Sequence, residues 1–382
     1  MRLNAIIAEF NPLHQGHVYL MDQAKAQGDL LVILMSGNFS QRGEPTIQDK
    51  FTRARQAILA GADLVLTLPV PFAASAARDF ARGAIHILSQ LPQLAGIYCG
   101  GEEIHPDLFY RASYYLKNDH LLAKDLASFL KTGYSYSQSL RLALEKIDPR
   151  LGQVFQPNLI LALEYYRALE EKKKEDLLRV LPRLDQVQGR PLPSASQIRQ
   201  NLKGGFSSQA YFPQDPLWSE DLLKERLFSF YRRWALEGFD QLDLYRGYEE
   251  GLENRLLKAL KETRTGPDFF KAVSSKRYSI PRLSRLLLHH ELGIKRDLID
   301  GALKEEGLGL QVLGLSPRGA QYLKGLRGKE DIRFLTKFSQ KKALPPFQEA
   351  LLDLEAKASD LYSLLRGEVL SSDYTQTPYI KP

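Results

Sequence analysis

The fold is decided between Leu3 and Gln27, where the chain reads LNAIIAEF (3–10), NPLHQGH (11–17) and VYLMDQAKAQ (18–27). The first run is apolar and short enough for a buried strand, and the last has the spacing of an amphipathic helix. Between them lie a turn, in which Asn11 and Pro12 fix the geometry, and two histidines, His14 and His17, with Gly16 between them. Imidazoles at i and i+3 where a helix opens suit three tasks. They can share a metal ion, grip an anion, or simply pack and cap the helix.

Working outward, the same alternation repeats. DLLVILMS (29–36), DLVLTLPV (63–70) and LAGIYCGG (94–101) are further strand candidates. Helical patterns separate them, among them DKFTRARQAILAGA (49–62), closed by Gly61, and SAARDFARGAIHILSQL (75–91). Short apolar strands alternating with helices predict a parallel sheet with right-handed crossovers. Such a sheet binds ligands beyond the carboxyl ends of its strands. The loops expected there are NPLHQGH, SGNFSQRGEP, LPVPFAASA and CGGEE, the unusual parts of the sequence.

From about Ser207 onward strand signals fade and helical periodicity dominates, as in PRLSRLLLHHELGI (281–294) and PFQEALLDLEAKASDLYSLLRGEVL (346–370). The reading is therefore α/β: a parallel-sheet domain over residues 1–205 followed by a mostly α-helical domain over 206–382. NLKGGFSSQAYFPQDP (201–216) is turn-rich and reads as the linker, and the tail SSDYTQTPYIKP (371–382) as irregular. The 382 residues suffice for two domains, and 44% hydrophobic with 25% charged residues is ordinary for a globular protein. A single cysteine, Cys99, excludes a disulfide framework and a Cys-rich zinc site and points to a reducing, cytoplasmic compartment. No secretory or membrane-spanning pattern is expected. The formal charge of +7 permits an anionic partner. Residues 271–342 hold sixteen Lys/Arg against seven Asp/Glu. This suits either a solvated helical surface or a phosphate-contacting face for RNA, with Tyr278 and Phe334 available for stacking.

At the histidines, the context favours the anion. A loop leaving a parallel strand and opening a helix aims free N–H groups and a positive dipole end at a bound anion. Gly16 lets a ligand lie close against the backbone, and imidazole N–H groups donate to phosphate oxygens. Metal binding would need a further ligand, and neither an HExxH pattern nor a cysteine cluster supplies one. SASQIR (194–199) offers two hydroxyls, Ser194 and Ser196, and the guanidinium of Arg199 at a helix start, a second arrangement suited to an anion. The SGNFSQRGEP loop adds Arg42.

HQGH resembles the HxGH signature of the nucleotidyltransferase superfamily, and SASQIR its phosphate-holding SxTxxR-like segment. In order along the chain, AEFNPLHQGH, MSGNFSQRGEP, the run from Asp49 to Leu88, CGGEE, QPNLILALEYYRAL, SASQIR and PRLSRLLLHHELGI are similar to the bacterial tRNA(Met) cytidine acetate ligase family. The resemblance implies a Rossmann-like nucleotidyltransferase domain. It also implies ATP, with Mg²⁺ carried on the nucleotide, acetate as second substrate, and elongator tRNA(Met) as acceptor. The product would be N(4)-acetylcytidine at the wobble position. It places ATP along Ile7, Ala8, Glu9, Phe10, Asn11, Pro12, Leu13, His14, Gln15, Gly16, His17, Val18, Tyr19 and Leu20, with further contacts at Gly100, Asn158, Arg183, Ser194, Ser196 and Arg199. His14 and His17 are the expected catalytic pair. Where the family has FGSE, this chain has Cys99-Gly100-Gly101-Glu102; where it has SATxIR, Ser196 replaces the threonine and keeps the hydroxyl. The basic helical half is expected to hold the tRNA, with Lys276, Arg277, Arg282 and Arg285 on its phosphates. Two other readings stay open: a small-molecule adenylyltransferase on the same fold, and a nucleotide-dependent RNA-binding factor without turnover.

Overall fold

A computed structural model describes residues 2–25, 29–156, 158–184, 186–187, 190–202, 207–326 and 332–382. Its centre is an eight-stranded sheet. In the first half, β1 (Leu3–Ala8), β2 (Leu30–Ser36), β3 (Leu64–Leu68), β4 (Leu94–Gly101) and β5 (Leu178–Pro182) lie parallel in the order β3-β2-β1-β4-β5. The hairpin β6 (Gln186–Val187) and β7 (Arg190–Pro191) forms a separate two-stranded sheet. Strand order reverses between β1 and β4, and an open parallel sheet carries its ligand crevice at that reversal.

Side-chain alternation along the strands feeds two cores. Leu3 and Ala5 of β1, with Val32, Leu34, Leu64 and Leu66, face the helices Ala77–Leu88, Leu159–Glu170 and Pro346–Arg366. Ile6, Leu31, Ile33, Met35 and Val65 face the helices Gln15–Lys25 and Lys50–Leu59 through Val18, Met21, Ala54 and Ile58. Helices on both faces explain why these strands read as continuous apolar runs.

The second half is mostly helical, as expected, but among its described residues it also carries three short strands. β8 (Gly309–Leu315) pairs antiparallel with β3, and β9 (Arg333–Leu335) and β10 (Tyr379–Ile380) pair parallel with β8. The run GLQVLGL is short, apolar and buried on both faces, a pattern that periodicity does not separate from buried helix. The tail is also ordered: Ser372–Thr375 is helical, and Asp373 is 2% exposed. Residues 203–206 of the expected linker lie outside the described residues, and the part from 207 to 216 is tied down. Tyr211 N–H donates to the Leu13 carbonyl (3.0 Å), and Asp215 takes hydrogen bonds from Arg55 (2.6 Å) and Gln56 (2.7 Å). The expected boundary at 205/206 falls outside the described residues. A single buried cluster runs from Leu3 to Leu365 and joins both halves. Among the described residues no helix is long and apolar enough to cross a membrane.

Candidate active site

β1 ends on Ala8, and Phe10 follows in the left-handed region (φ 49°). That conformation is costly for a bulky residue, and burial of the Phe10 ring, 2% exposed, holds it in place. The chain reverses over Asn11, whose Oδ1 accepts from Ile47 N–H (2.8 Å), and the helix begins at Gln15. Arg53, fully buried, gathers the strand exits. Its guanidinium donates to the carbonyls of Glu9 (2.5 Å), Ser36 (3.1 Å), Gly37 and Gln48 (3.0 Å). The Glu9 carboxylate accepts from Gln41 N–H (2.7 Å), fixing the 36–45 loop beside the first.

The two imidazoles stack, with ring centroids 3.7 Å apart and an interplanar angle of 24°. Gly16 N–H donates to His14 Nδ1 (3.1 Å), and His14 N–H donates to His17 Nδ1 (3.3 Å). With each Nδ1 accepting, each ring carries its proton on Nε2. Burial, reinforced by the Arg183 charge, pushes His14 down to about 4. Burial, then His14 and then Arg183, holds His17 well below its ordinary value. Both rings are therefore neutral Nε2–H donors at pH 7. A side chain at Gly16 would meet the His14 ring at 3.1 Å, so this glycine lets the pair pack against the helix start.

Around the pair opens a cleft of about 430 Å³ at the carboxyl ends of β1, β4 and β5. It gathers sequence-distant residues: Ile7 to Asn11, His14, Gly16, His17, Tyr19, Leu20, Gly100, Asn158, Arg183, Ser194, Ser196 and Arg199 all line it. Pro12, Leu13 and Val18 are buried outside its lining, and Gln15 is exposed. Asn158 precedes the helix Leu159–Glu170 without capping it; its amide donates to Glu102 Oε1 (2.7 Å). Gln41, Phe80, Leu161 and Tyr165 also line the cleft and were absent from the expected set. Gln41 lay in a loop already noted, whereas Tyr165 and Leu161 carry only the signal of helix-core residues.

The SASQIR segment lines the cleft, and Ser194 and Arg199 also make bonds within the protein. Ser194 Oγ caps the helix Ala195–Gln200 by accepting from Gln197 N–H (3.3 Å). Arg199 donates to Asn11 O (2.6 Å), Glu220 Oε2 (3.0 Å) and Ser196 Oγ (3.2 Å). Its fork thus braces the histidine loop. The guanidiniums of Arg183 and Arg42 line the same cleft, and among the described residues neither has a hydrogen-bonding or ion-pair partner. Neutral imidazole N–H donors, the positive end of the helix Gln15–Lys25 and two uncommitted cations fit a polyphosphate. Among the described residues no three His, Cys, Asp or Glu side chains come together to hold a metal ion. Cys99 lines the cleft too, but burial pushes its thiol up to about 12, so it is no thiolate nucleophile.

The four cations expected on RNA divide. Lys276 is exposed, and the Arg277 side chain is 70% exposed although ion-paired with Glu249. Arg282 is held by Gly247 O (3.0 Å) and Glu249 (2.7 Å). Arg285 donates to Gln41 O (3.2 Å), and burial pushes it down to about 10, leaving it charged.

The HIGH Nucleotidyl Transferase family model matches residues 1–377. The tRNA(Met) cytidine acetate ligase of Caldicellulosiruptor saccharolyticus is 30% identical, covering 100% of this chain and 99% of that protein. The enzyme of the same name from Lysinibacillus sphaericus is 31% identical, covering 100% of both. The crystal structure of Thermotoga maritima TmcAL bound with alpha-thio ATP superposes with a TM-score of 0.84 at 25% identity, covering 100% of this chain and 99% of that one. With its stacked histidine pair at the strand-order reversal and its full-length match to these proteins, the chain belongs to the tRNA(Met) cytidine acetate ligase family of HIGH nucleotidyl transferases.

Proposed function

We propose that this chain activates acetate with ATP as acetyl-adenylate and acetylates the wobble cytidine of elongator tRNA(Met) to N(4)-acetylcytidine. The observation that carries the reading is the neutral His14–His17 pair, held as Nε2–H donors beside Arg183 in one cleft. ATP lies along Ile7 to Leu20, with the phosphates towards the helix start and Arg183, and brings Mg²⁺ on its phosphates.

In the first step a carboxylate oxygen of acetate attacks the α-phosphorus, and the bond to the β-phosphate oxygen breaks. Pyrophosphate leaves with the bond's electron pair. Such a transfer depends on alignment and charge stabilisation. Neutral donors fixed by the backbone stabilise the charge that builds on the phosphate oxygens without reorganising. Arg183, an uncommitted cation, holds the departing anion. In the second step the cytosine amine attacks the acetyl carbonyl, AMP leaves, and the amine loses one proton. The base must be presented unstacked, which an anticodon loop allows.

The test is incubation with labelled acetate, ATP and bulk tRNA, then digestion of the RNA and a search for acetylated cytidine. Label in N(4)-acetylcytidine is expected. ATP binding without acetate incorporation overturns the reading. His17→Ala should keep the fold and lower acetate-dependent pyrophosphate exchange into ATP by about 10²- to 10³-fold, the range for losing one charge-stabilising donor. Undiminished exchange removes His17 from the chemistry.

A further inference from the structure

The basic segment before the helix Ile280–Leu292 does not offer the stacking platform its sequence suggests. The Tyr278 ring has guanidiniums at 5.9 Å (Arg255), 5.7 Å (Arg277) and 5.2 Å (Arg282), and its hydroxyl donates to Glu249 (3.1 Å). Phe334 is half-buried against the core. Solvent-exposed aromatic surface comes instead from the other half of the chain. Between the helices Ala123–Lys131 and Tyr136–Ile147, Tyr134 is 47% exposed, its ring set edge-on against Phe129 (6.3 Å), and Tyr136, the first residue of the second helix, is 61% exposed. Gly133, at φ +87°, ends the first helix and brings this turn against the basic segment: a methyl group there would lie 3.8 Å from Lys276 Nζ. Ser135 caps the second helix through reciprocal bonds with Gln138, which holds the two tyrosines on a defined turn. Residues 143 positions apart in sequence therefore present one surface, two open phenol rings beside two exposed cations.

That surface is physically tied to the cleft. From Lys276 the chain leads in four residues to the helix Ile280–Leu292, and Arg285 on its second turn binds the carbonyl of Gln41, a residue of the cleft wall. Backbone rise bounds the Lys276-to-Arg285 distance at about 20 Å, a span of a few nucleotides. Gly43 (φ +74°) sits so close under this helix that a Cβ there would lie 2.7 Å from Arg285 N, so the helix and the cleft loop are packed without a gap.

We propose that Tyr134 and Tyr136, with Lys276 and Arg277, form a docking surface for the tRNA away from the reactive base. Unpaired bases stack on the tyrosines, and the neighbouring phosphates lie on the two cations. Exposed rings with few rotatable bonds stack any base, and cations that face solvent gain most from phosphate. The docked strand is continuous with the nucleotide delivered past Arg42 into the cleft. This proposal rests on tRNA being the acceptor, as in the function proposed above.

The full-length chain carrying Tyr134→Ala and Tyr136→Ala is titrated with an elongator tRNA(Met) transcript at low and high salt. Acetate-dependent pyrophosphate exchange is measured alongside, without tRNA. Loss of stacking is expected to weaken tRNA binding by about tenfold or more and leave exchange unchanged. Tyr134→Phe with Tyr136→Phe should restore binding, because the rings remain. Lys276→Glu should weaken binding more at low salt than at high salt. Wild-type affinity in the double-alanine variant overturns this proposal alone. A wild-type chain that neither binds nor acetylates tRNA overturns the parent reading, and this one with it.

Discussion

His14 and His17 are held neutral, with Nε2–H as the free donor, by where their Nδ1 atoms point and by burial. The same environment sets a pH dependence. His14 is pushed down to about 4 in the folded chain, from an ordinary value near 6.5. Between those values the unfolded chain takes up a proton that the folded chain resists. Stability is therefore greatest above about pH 6.5, falls as the pH drops, and the loss levels off below about 4. A shift of this size corresponds to roughly 3 kcal/mol. His14→Asn replaces the imidazole with a neutral amide that does not titrate. Denaturant unfolding at pH 7 and at pH 4.5 should show the wild type losing more stability than the variant, with His17 adding in the same direction. Parallel losses in the two proteins would show that His14 is not held neutral by the fold.

The strand exits and the loops they feed are held as a set by Arg53. Four backbone carbonyls from three segments converge on its guanidinium, and no carboxylate bonds to it among the described residues. Each buried carbonyl left without a donor costs about 1–3 kcal/mol, so Arg53→Leu should lower stability by at least about 3 kcal/mol, read as a fall in the denaturant midpoint. Arg53→Lys keeps the charge but not the planar fork, and should recover only part of the loss. Full recovery would mean that charge alone suffices. In sequence, Arg53 is one basic residue in a helical run, and nothing in FTRARQ separates it from the half-buried Arg55, which pairs with Asp215. The elements whose pattern is local were legible: β1 to β4, the helices after β1, β2 and β3, and the loop carrying His14, Gly16 and His17. What was not legible depends on distant partners. β8 is recognisable only beside β3, and the bonds from Arg199 to Glu220 and Asn11, which brace the histidine loop, appear only in the fold. The cleft is lined by most of the residues the resemblance placed on ATP, though not by Pro12, Leu13, Gln15 or Val18, whereas the surface tyrosines at 134 and 136 carried no signal until Gly133 lay against Lys276.

Across the whole molecule, the C-terminal segment is bound to the first half through a buried ionic cluster. Lys50, at the start of the helix Lys50–Leu59, lies 3.1 Å from Glu355 and 2.6 Å from Asp373, and all three side chains are buried. Glu355 also accepts from Val70 N–H (3.0 Å), and Gln311 of β8 donates to Asp373 (2.8 Å). One cluster thus links the loop after β3, the strand β8, the helix Pro346–Arg366 and the tail. Burial holds Glu355 above its ordinary value despite Lys50, and the two carboxylates hold Lys50 above its own despite burial. Taking such charges out of water costs nearly what their attraction returns, so the cluster contributes more to register than to net stability. The consequence is a non-additive pattern. Lys50→Met alone strands two buried carboxylates and should destabilise by about 3–5 kcal/mol. Adding Glu355→Leu and Asp373→Leu removes the stranded charges and should recover most of that loss, although the triple variant no longer ties the tail by charge. Denaturant midpoints of the single and triple variants decide the matter. A triple variant as unstable as the sum of its single changes would mean that the ions hold the two halves together by their own attraction.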